Sequence, residues 1–188
     1  MLDEVETEEQ SHEEPGLREA FGRILSAERF SDHINAIVDL IYTNELDTVG
    51  LKNILIEYKI KDISAIKLEL LDLLIIYANL ILKDLSITDK EHWNMTMLKK
   101  FFKIREGDFY CYRLKEIKSL ILHQLKVIYN DGNIDHQEAL HKVNLQGLFD
   151  LSYDQFLQFA EGEIHEALKR GVDIAKLDTV RIPLAYKK

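Results

Sequence analysis

From residue 17 to about residue 170, apolar positions recur at helical spacing. In "SDHINAIVDLIYTNEL", residues 31–46, Ile34, Ile37, Val38 and Ile41 share one face, and Ser31 is the expected N-cap. Residues 17–25 and 50–60 read as shorter helices. Residues 64–82 are apolar almost throughout, which predicts a buried central helix. Residues 88–102 open with Thr88 and Glu91, three apart, the spacing of a capping box. Residues 106–129 read as one long helix. Asp135 and Glu138 open 135–149, and Ser152 and Gln155 open 152–170, in the same box spacing. The expected fold is therefore all-α, a helical bundle of about 7–8 helices. Residues 172–188 show no clear period and are expected to form an extended tail on the body.

The pattern repeats itself. At an offset of 47 residues, Asp84 falls on Asp131, Ile87 on Ile134 and Glu91 on Glu138. Leu98 falls on Leu145, Phe102 on Phe149, Ile104 on Leu151 and Phe109 on Phe156. The unit is an apolar helix, a short acidic turn, a capped helix and an aromatic-led helix. Two pseudo-symmetric helical-hairpin repeats are expected, each burying its apolar face on the other. Residues 37–65 carry a fainter third echo.

Composition agrees with helices. The chain's 188 residues hold 8 Gly and 2 Pro, and Pro15 and Pro183 lie near the two ends, so proline breaks no helix between them. The formal charge is −9. Residues 1–14 contain seven acids and no Lys or Arg, so the remaining 26 acids and 24 bases leave about −2 for the body. An acidic disordered tail over 1–16 is expected, and nucleic acid is not an expected partner, because phosphate binding needs a basic footprint. One cysteine, Cys111, rules out an internal disulfide. The longest apolar run, 68–82, contains Glu69, Asp72 and Asn79 and is too short for a transmembrane segment. The acidic start lacks the basic region of a signal peptide, so the expected location is cytoplasmic.

The chemistry concentrates in "IYNDGNIDHQEAL", residues 128–140. If Gly132 takes position 6 of an EF-hand loop, Ile134, Asp135 and Glu138 fit positions 8, 9 and 12. Positions 1 and 3 are then Val127 and Tyr129, which supply no side-chain carboxylate, so an EF-hand is not expected. A turn and cap account for the same residues: Gly132 permits positive φ, Ile134 plugs the core, Asp135 caps and Glu138 closes the box. Glu138 and His141 form a Glu-x-x-His element, but the repeat places Asn94 opposite His141, so the pair needed for a di-iron site is missing. His141 is expected to be a surface or half-buried helix residue, and Trp93 to lie in the core. Residues 95–118 interleave Lys99, Lys100, Lys103, Arg105, Arg113, Lys115 and Lys118 with aromatics. That pattern fits a solvated face or a docking patch for phosphate or an acidic partner, including the chain's own tail. No nucleophile elbow, P-loop or dinucleotide turn is present, and a non-enzymatic role is expected.

The stretch "NDGNIDHQEALHKVNLQGLFDLSYDQF" (130–156), and more loosely "KDLSITDKEHWNMTMLKKFFKIREGDF" (83–109), resembles the TerB-like (tellurite-resistance TerB) helical family. The resemblance covers about residues 66–170. It implies an all-helical domain with two pseudo-symmetric halves, linked to stress and tellurite resistance, to defence-associated products and to membrane-linked complexes. It also implies protein partners, a peripheral membrane complex among them, and a divalent cation (calcium, magnesium or manganese) on an acidic surface. Carried over by position, the metal residues are Asp131, Asp135 and Glu138 in the second copy and Asp84 and Glu91 in the first, where Leu85 replaces the glycine. The expected organisation is a tail over 1–16, N-terminal helices over 17–63, the duplicated domain over 64–171 and a C-terminal tail over 172–188. A helical protein–protein adaptor without metal chemistry is the alternative reading.

Overall fold

The computed structural model describes residues 16–44, 46–130, 134 and 136–172. Among them the chain is all-α, with nine α-helices: α1 (Leu17–Ala27), α2 (Asp32–Asn44), α3 (Thr48–Glu57), α4 (Lys67–Ile81), α5 (Asp89–Phe101), α6 (Asp108–Tyr112), α7 (Leu114–Ile128), α8 (His136–Leu148) and α9 (Tyr153–Lys169). Short 3-10 turns at Ile63–Ile66 and Leu82–Asp84 flank α4. No described helix is long and apolar enough to cross a membrane. The expected tails at both ends lie outside the described residues, apart from Gly16 and Val172.

Side-chain caps set the starts of α3, α5, α9 and the first 3-10 turn. Asp47 accepts from the Val49 amide ahead of α3, and Asp62 from the Ser64 amide ahead of the first 3-10 turn. Thr88 with Glu91, and Ser152 with Gln155, form complete capping boxes at α5 and α9. Ser31 precedes α2 as expected, and its hydroxyl donates to Glu69 Oε2 on α4 at 2.6 Å, tying the helix to the bundle.

The ninth helix comes from a break the periodicity does not predict. Residues 106–129 form two helices, not one, and the chain leaves helical geometry at Arg113, with φ −137° and ψ 34°. Its guanidinium donates to both Asp72 carboxylate oxygens, one at 2.8 Å, and to the Leu68 carbonyl at 3.1 Å. The break therefore lets one side chain anchor the head of α7 to the first turns of α4. Gly107 starts α6 in the left-handed region at φ 81°, where a side chain would be strained.

α4 is the axis of the core. α1, α5 and α7 pack on it, α8 lies against α5 and α7, and α9 runs along α7. Leu70, Leu71, Leu73, Leu74, Tyr77 and Ala78 are all buried, which is why this segment is apolar almost all round. Phe109 meets Phe149 edge-on at 5.4 Å, joining the segment after α5 to the end of α8. At the offset of 47, α4 and α7 begin and end at matching positions, and so do α5 and α8. The turns after α5 and α8 match as well. Lys103 and Asp150 both take left-handed φ, 55° and 51°, and the Ile104 and Leu151 amides bond back to the Lys99 and Gln146 carbonyls. The end of α3 makes the same turn, with Lys59 at φ 56° and the Ile60 amide on Leu55.

Candidate functional site

The first acidic corner joins α4 to α5. Asp84 Oδ1 accepts from the Ser86 amide at 3.1 Å and its hydroxyl at 3.3 Å, a side-chain turn of the kind short acids favour. Leu85, where the second copy has glycine, is left-handed at φ 62°. Ile87 is buried beneath the corner. Glu91 is buried and turned back on the cap. Its Oε2 accepts from the Thr88 amide at 3.0 Å and the Thr88 hydroxyl at 3.1 Å, while its own amide donates to Thr88 Oγ1. Two residues expected as cation ligands thus hold different parts of one turn: Asp84 is exposed and Glu91 serves the helix start.

The second corner joins α7 to α8. Asp131, Gly132, Asn133 and Asp135 lie outside the described residues. Ile134 packs on the core, and Glu138 sits half-buried in the first turn of α8. Among the described residues, no group of three or more His, Cys, Asp or Glu converges as a set of metal ligands.

Between the corners runs a buried polar link. Gln124 Nε2 on α7 donates to the Leu82 carbonyl at 3.1 Å, so its Oε1 is left to accept, and His141 Nε2 on α8 lies 2.9 Å away. That orientation assigns the imidazole proton to Nε2. His141 is only 4% exposed, and its Nδ1 has no hydrogen-bond partner among the described residues. Burial holds its pKa below the usual histidine value, and the nearby Asp84 carboxylate acts in the opposite, weaker sense. This corrects the sequence expectation of a surface or half-buried histidine: position 141 points along the seam where α8 meets α7. At the offset of 47 the equivalent positions hold Tyr77 and Asn94; burial pushes the Tyr77 phenol pKa up, and Asn94 Nδ2 is buried without a hydrogen-bond partner among the described residues.

α5 and α8 enclose an open groove of about 550 Å3, lined among others by His92, Thr96, Lys99, Lys100, Val143 and Gln146. Lys99 is buried beneath it. Its ammonium donates to Asp150 Oδ1 at 2.7 Å and to the Gly147 and Leu148 carbonyls at 3.3 Å, satisfying the end of α8 with a positive charge. A Cβ on Gly147 would stand 3.1 Å from His92 Nε2, so the bare glycine lets the helices approach. On the same helices Trp93 is 60% exposed, Leu140 54% and Val143 60%. Trp93 is not a core residue as its type suggested. Glu91, Met95, Leu98 and Phe102 define the inward stripe of α5, and position 93 falls off it.

The locally basic run is divided by the fold. Lys67 pairs with Asp108 at 2.8 Å, Asp108 also accepts from the Arg105 amide at 2.7 Å, and Arg113 pairs with Asp72. Phe102 and Phe109 turn inward, while Lys100, Lys103, Arg105, Lys115 and Lys118 remain at the surface. Sequence reasoning missed Lys99 and Gln124 as interior polar anchors. Their only signal is position: each sits at core spacing between apolar neighbours. No family model matches the chain, and neither known proteins nor solved structures show a significant similarity to it.

Proposed function

We propose that this chain is a non-catalytic helical interaction module of the TerB-like kind, acting in stress, tellurite-resistance or defence-related complexes. The observation that carries the binding role is the trio Trp93, Leu140 and Val143, exposed on the two helices that border the groove. Aromatic anchors beside a groove are the usual hot spots of protein partners. The cation role rests on the resemblance and on Asp131, Asp135 and Glu138 in the second corner.

Two measurements test this reading. Trp93→Ser should leave the melting temperature nearly unchanged, since surface changes stay within about 0.5 kcal/mol, yet weaken capture of a partner cross-linked to the wild-type chain. Unchanged capture would remove the α5–α8 face from the proposal. For the cation, melts are run with calcium, magnesium or manganese. An ion at 100 times its Kd adds about 2.7 kcal/mol, and Asp131→Asn with Glu138→Gln should abolish the gain. With no gain from any of the three ions, the adaptor without metal chemistry is the better reading.

A further inference from the structure

α9 closes with a turn that brings the chain back onto the body. Gly171 is left-handed at φ 85°, its amide donates to the Leu168 carbonyl at 3.0 Å, and the Val172 amide donates to the Ala167 carbonyl at 3.3 Å, the bonds of a Schellman motif. Val172, the last described residue, packs on the core. α4 and α7 run parallel: Arg113 bonds Asp72 at their heads, and Gln124 bonds the Leu82 carbonyl at their ends. α9 lies parallel to α7, with Lys118 over the Phe159 ring and Arg170 donating to the Tyr129 carbonyl. Lys142 of α8 stands over that same Tyr129 ring at 5.1 Å. The described chain therefore stops beside α8, at the end of the bundle where α4 and α7 also stop.

An exposed apolar strip lies next to that point. α5 and α8 run parallel: Asn144 donates to the Ile87 carbonyl ahead of α5 at 3.2 Å, and Lys99 reaches the Gly147 and Leu148 carbonyls further along. Leu140 and Val143 fall within about one turn of Asn144, and Trp93 follows His92, which faces Gly147. All three are exposed, and Leu85 at the first corner and Val127 at the end of α7 lie at the same end. The other exposed apolar clusters are more distant. Leu68, Tyr112 and Leu114 lie at the head of α4, about 22 Å away along its 15 residues. Val49 and Ile56 lie on α3, which packs on α2, as α2 does on α1 and α1 on α4.

We propose that the C-terminal segment 173–188 crosses α8 and lies along the seam of α5 and α8, covering Leu140, Val143 and Trp93. The segment carries Ile174, Leu177, Val180, Ile182, Leu184 and Tyr186. Over 180–186 the apolar residues alternate with Arg181, Pro183 and Ala185, which gives an extended chain one apolar edge. Ile174 lies within about 7 Å of Val172 and Leu177 within about 17 Å, so both fall short of the head of α4. Crossing a helix takes about 10–12 Å, and Val180 reaches about 27 Å from the root, enough to place the alternating stretch on the seam. Tethering supplies a local concentration in the millimolar range for a short linker, so a few buried side chains hold the segment. A protein partner of the α5–α8 face would then have to displace it. The inference rests on the reading of that face as a docking surface.

Cys111 is the chain's one cysteine and is exposed, and Trp93 is its one tryptophan. In the full chain with Cys111→Ser, a nitroxide is placed at Ala185→Cys, on the polar edge of the alternating stretch. The indole N–H signal of Trp93 and the amide signals around Leu140 and Val143 should be lost. Adding V180D/I182D/L184D, all outside the described helices, should restore them and shift Trp93 emission to the red. Losses centred on α3 or on the head of α4 would overturn the proposal, as would no localised loss, or a loss that the triple variant leaves unchanged. A loss seen only between molecules, in mixtures of spin-labelled and isotope-labelled chains, would assign the strip to a second copy and overturn it equally. The label reads the segment on the bare chain, whereas Trp93→Ser reads capture of a partner, so each reading fails by its own measurement.

Discussion

The hairpins α4–α5 and α7–α8 share boundaries and turns at an offset of 47 residues but not their interior chemistry. Where α4–α5 places Tyr77 and Asn94, α7–α8 places Gln124 and His141. Where the first corner forces Leu85 into left-handed geometry, the second has Gly132 in sequence. α4 is enclosed by α1, α5 and α7 and is apolar nearly all round, whereas α7 keeps Lys115, Glu116, Lys118 and Ser119 at the surface. Helix ends are held by caps and backbone bonds that tolerate many side chains. The residues between them answer to what packs outside, and here that differs for the two hairpins.

Exchanging residues between equivalent positions tests the comparison. The largest effect is expected in the shared core. Leu74→Ala on α4 and Ile121→Ala on α7 remove equally buried side chains at matching positions, and each should cost about 2–5 kcal/mol in urea unfolding. A small loss at position 121 alone would break the equivalence. Lys99→Gln brings in the residue found at position 146. It removes the charge from Asp150 and two helix-end carbonyls, for an expected loss of about 1.5–3 kcal/mol. If the same variant melts like the wild type, Lys99 does not hold α5 to α8.

The two interior pairs differ in what acid does to them. The His141 pKa is lowered in the folded chain, so the unfolded chain binds the proton more readily. Stability from neutral His141 is then full above the unfolded value near 6.5 and is lost as pH falls through the lower folded value. The double variant Gln124→Tyr with His141→Asn brings in the residues found at positions 77 and 94 and should flatten this part of the stability–pH curve. An unaltered curve would place the acid sensitivity elsewhere. The smallest effect is expected at the first corner. Leu85→Gly relieves a left-handed residue, about 1–2 kcal/mol, and loosens the unfolded chain by about 0.5–1 kcal/mol. The net gain should be about 0.5 kcal/mol, read as a slightly raised Tm.

Much of this was legible before any coordinates. The capping boxes at Thr88 and Ser152, the apolar length of α4 and the helical class all follow from residues three or four apart along the chain. The first acidic corner was legible as a turn and Glu91 as the closing residue of the Thr88 box; that Asp84 folds the turn through Ser86 was not, and most of the second corner lies outside the described residues. Trp93 and His141 were not legible. Side-chain type suggests an inside tryptophan and an outside histidine, but the face each occupies is decided by which helix arrives from elsewhere in the chain.

The sequence by itself determined the helical class and the starts of α5 and α9, because capping boxes and apolar spacing are satisfied by neighbours within one or two turns. Only the tertiary structure decided the break at Arg113 and the interior link from Leu82 through Gln124 to His141. Those depend on partners some 17 to 45 positions away, and no local pattern specifies which partners meet once the helices pack.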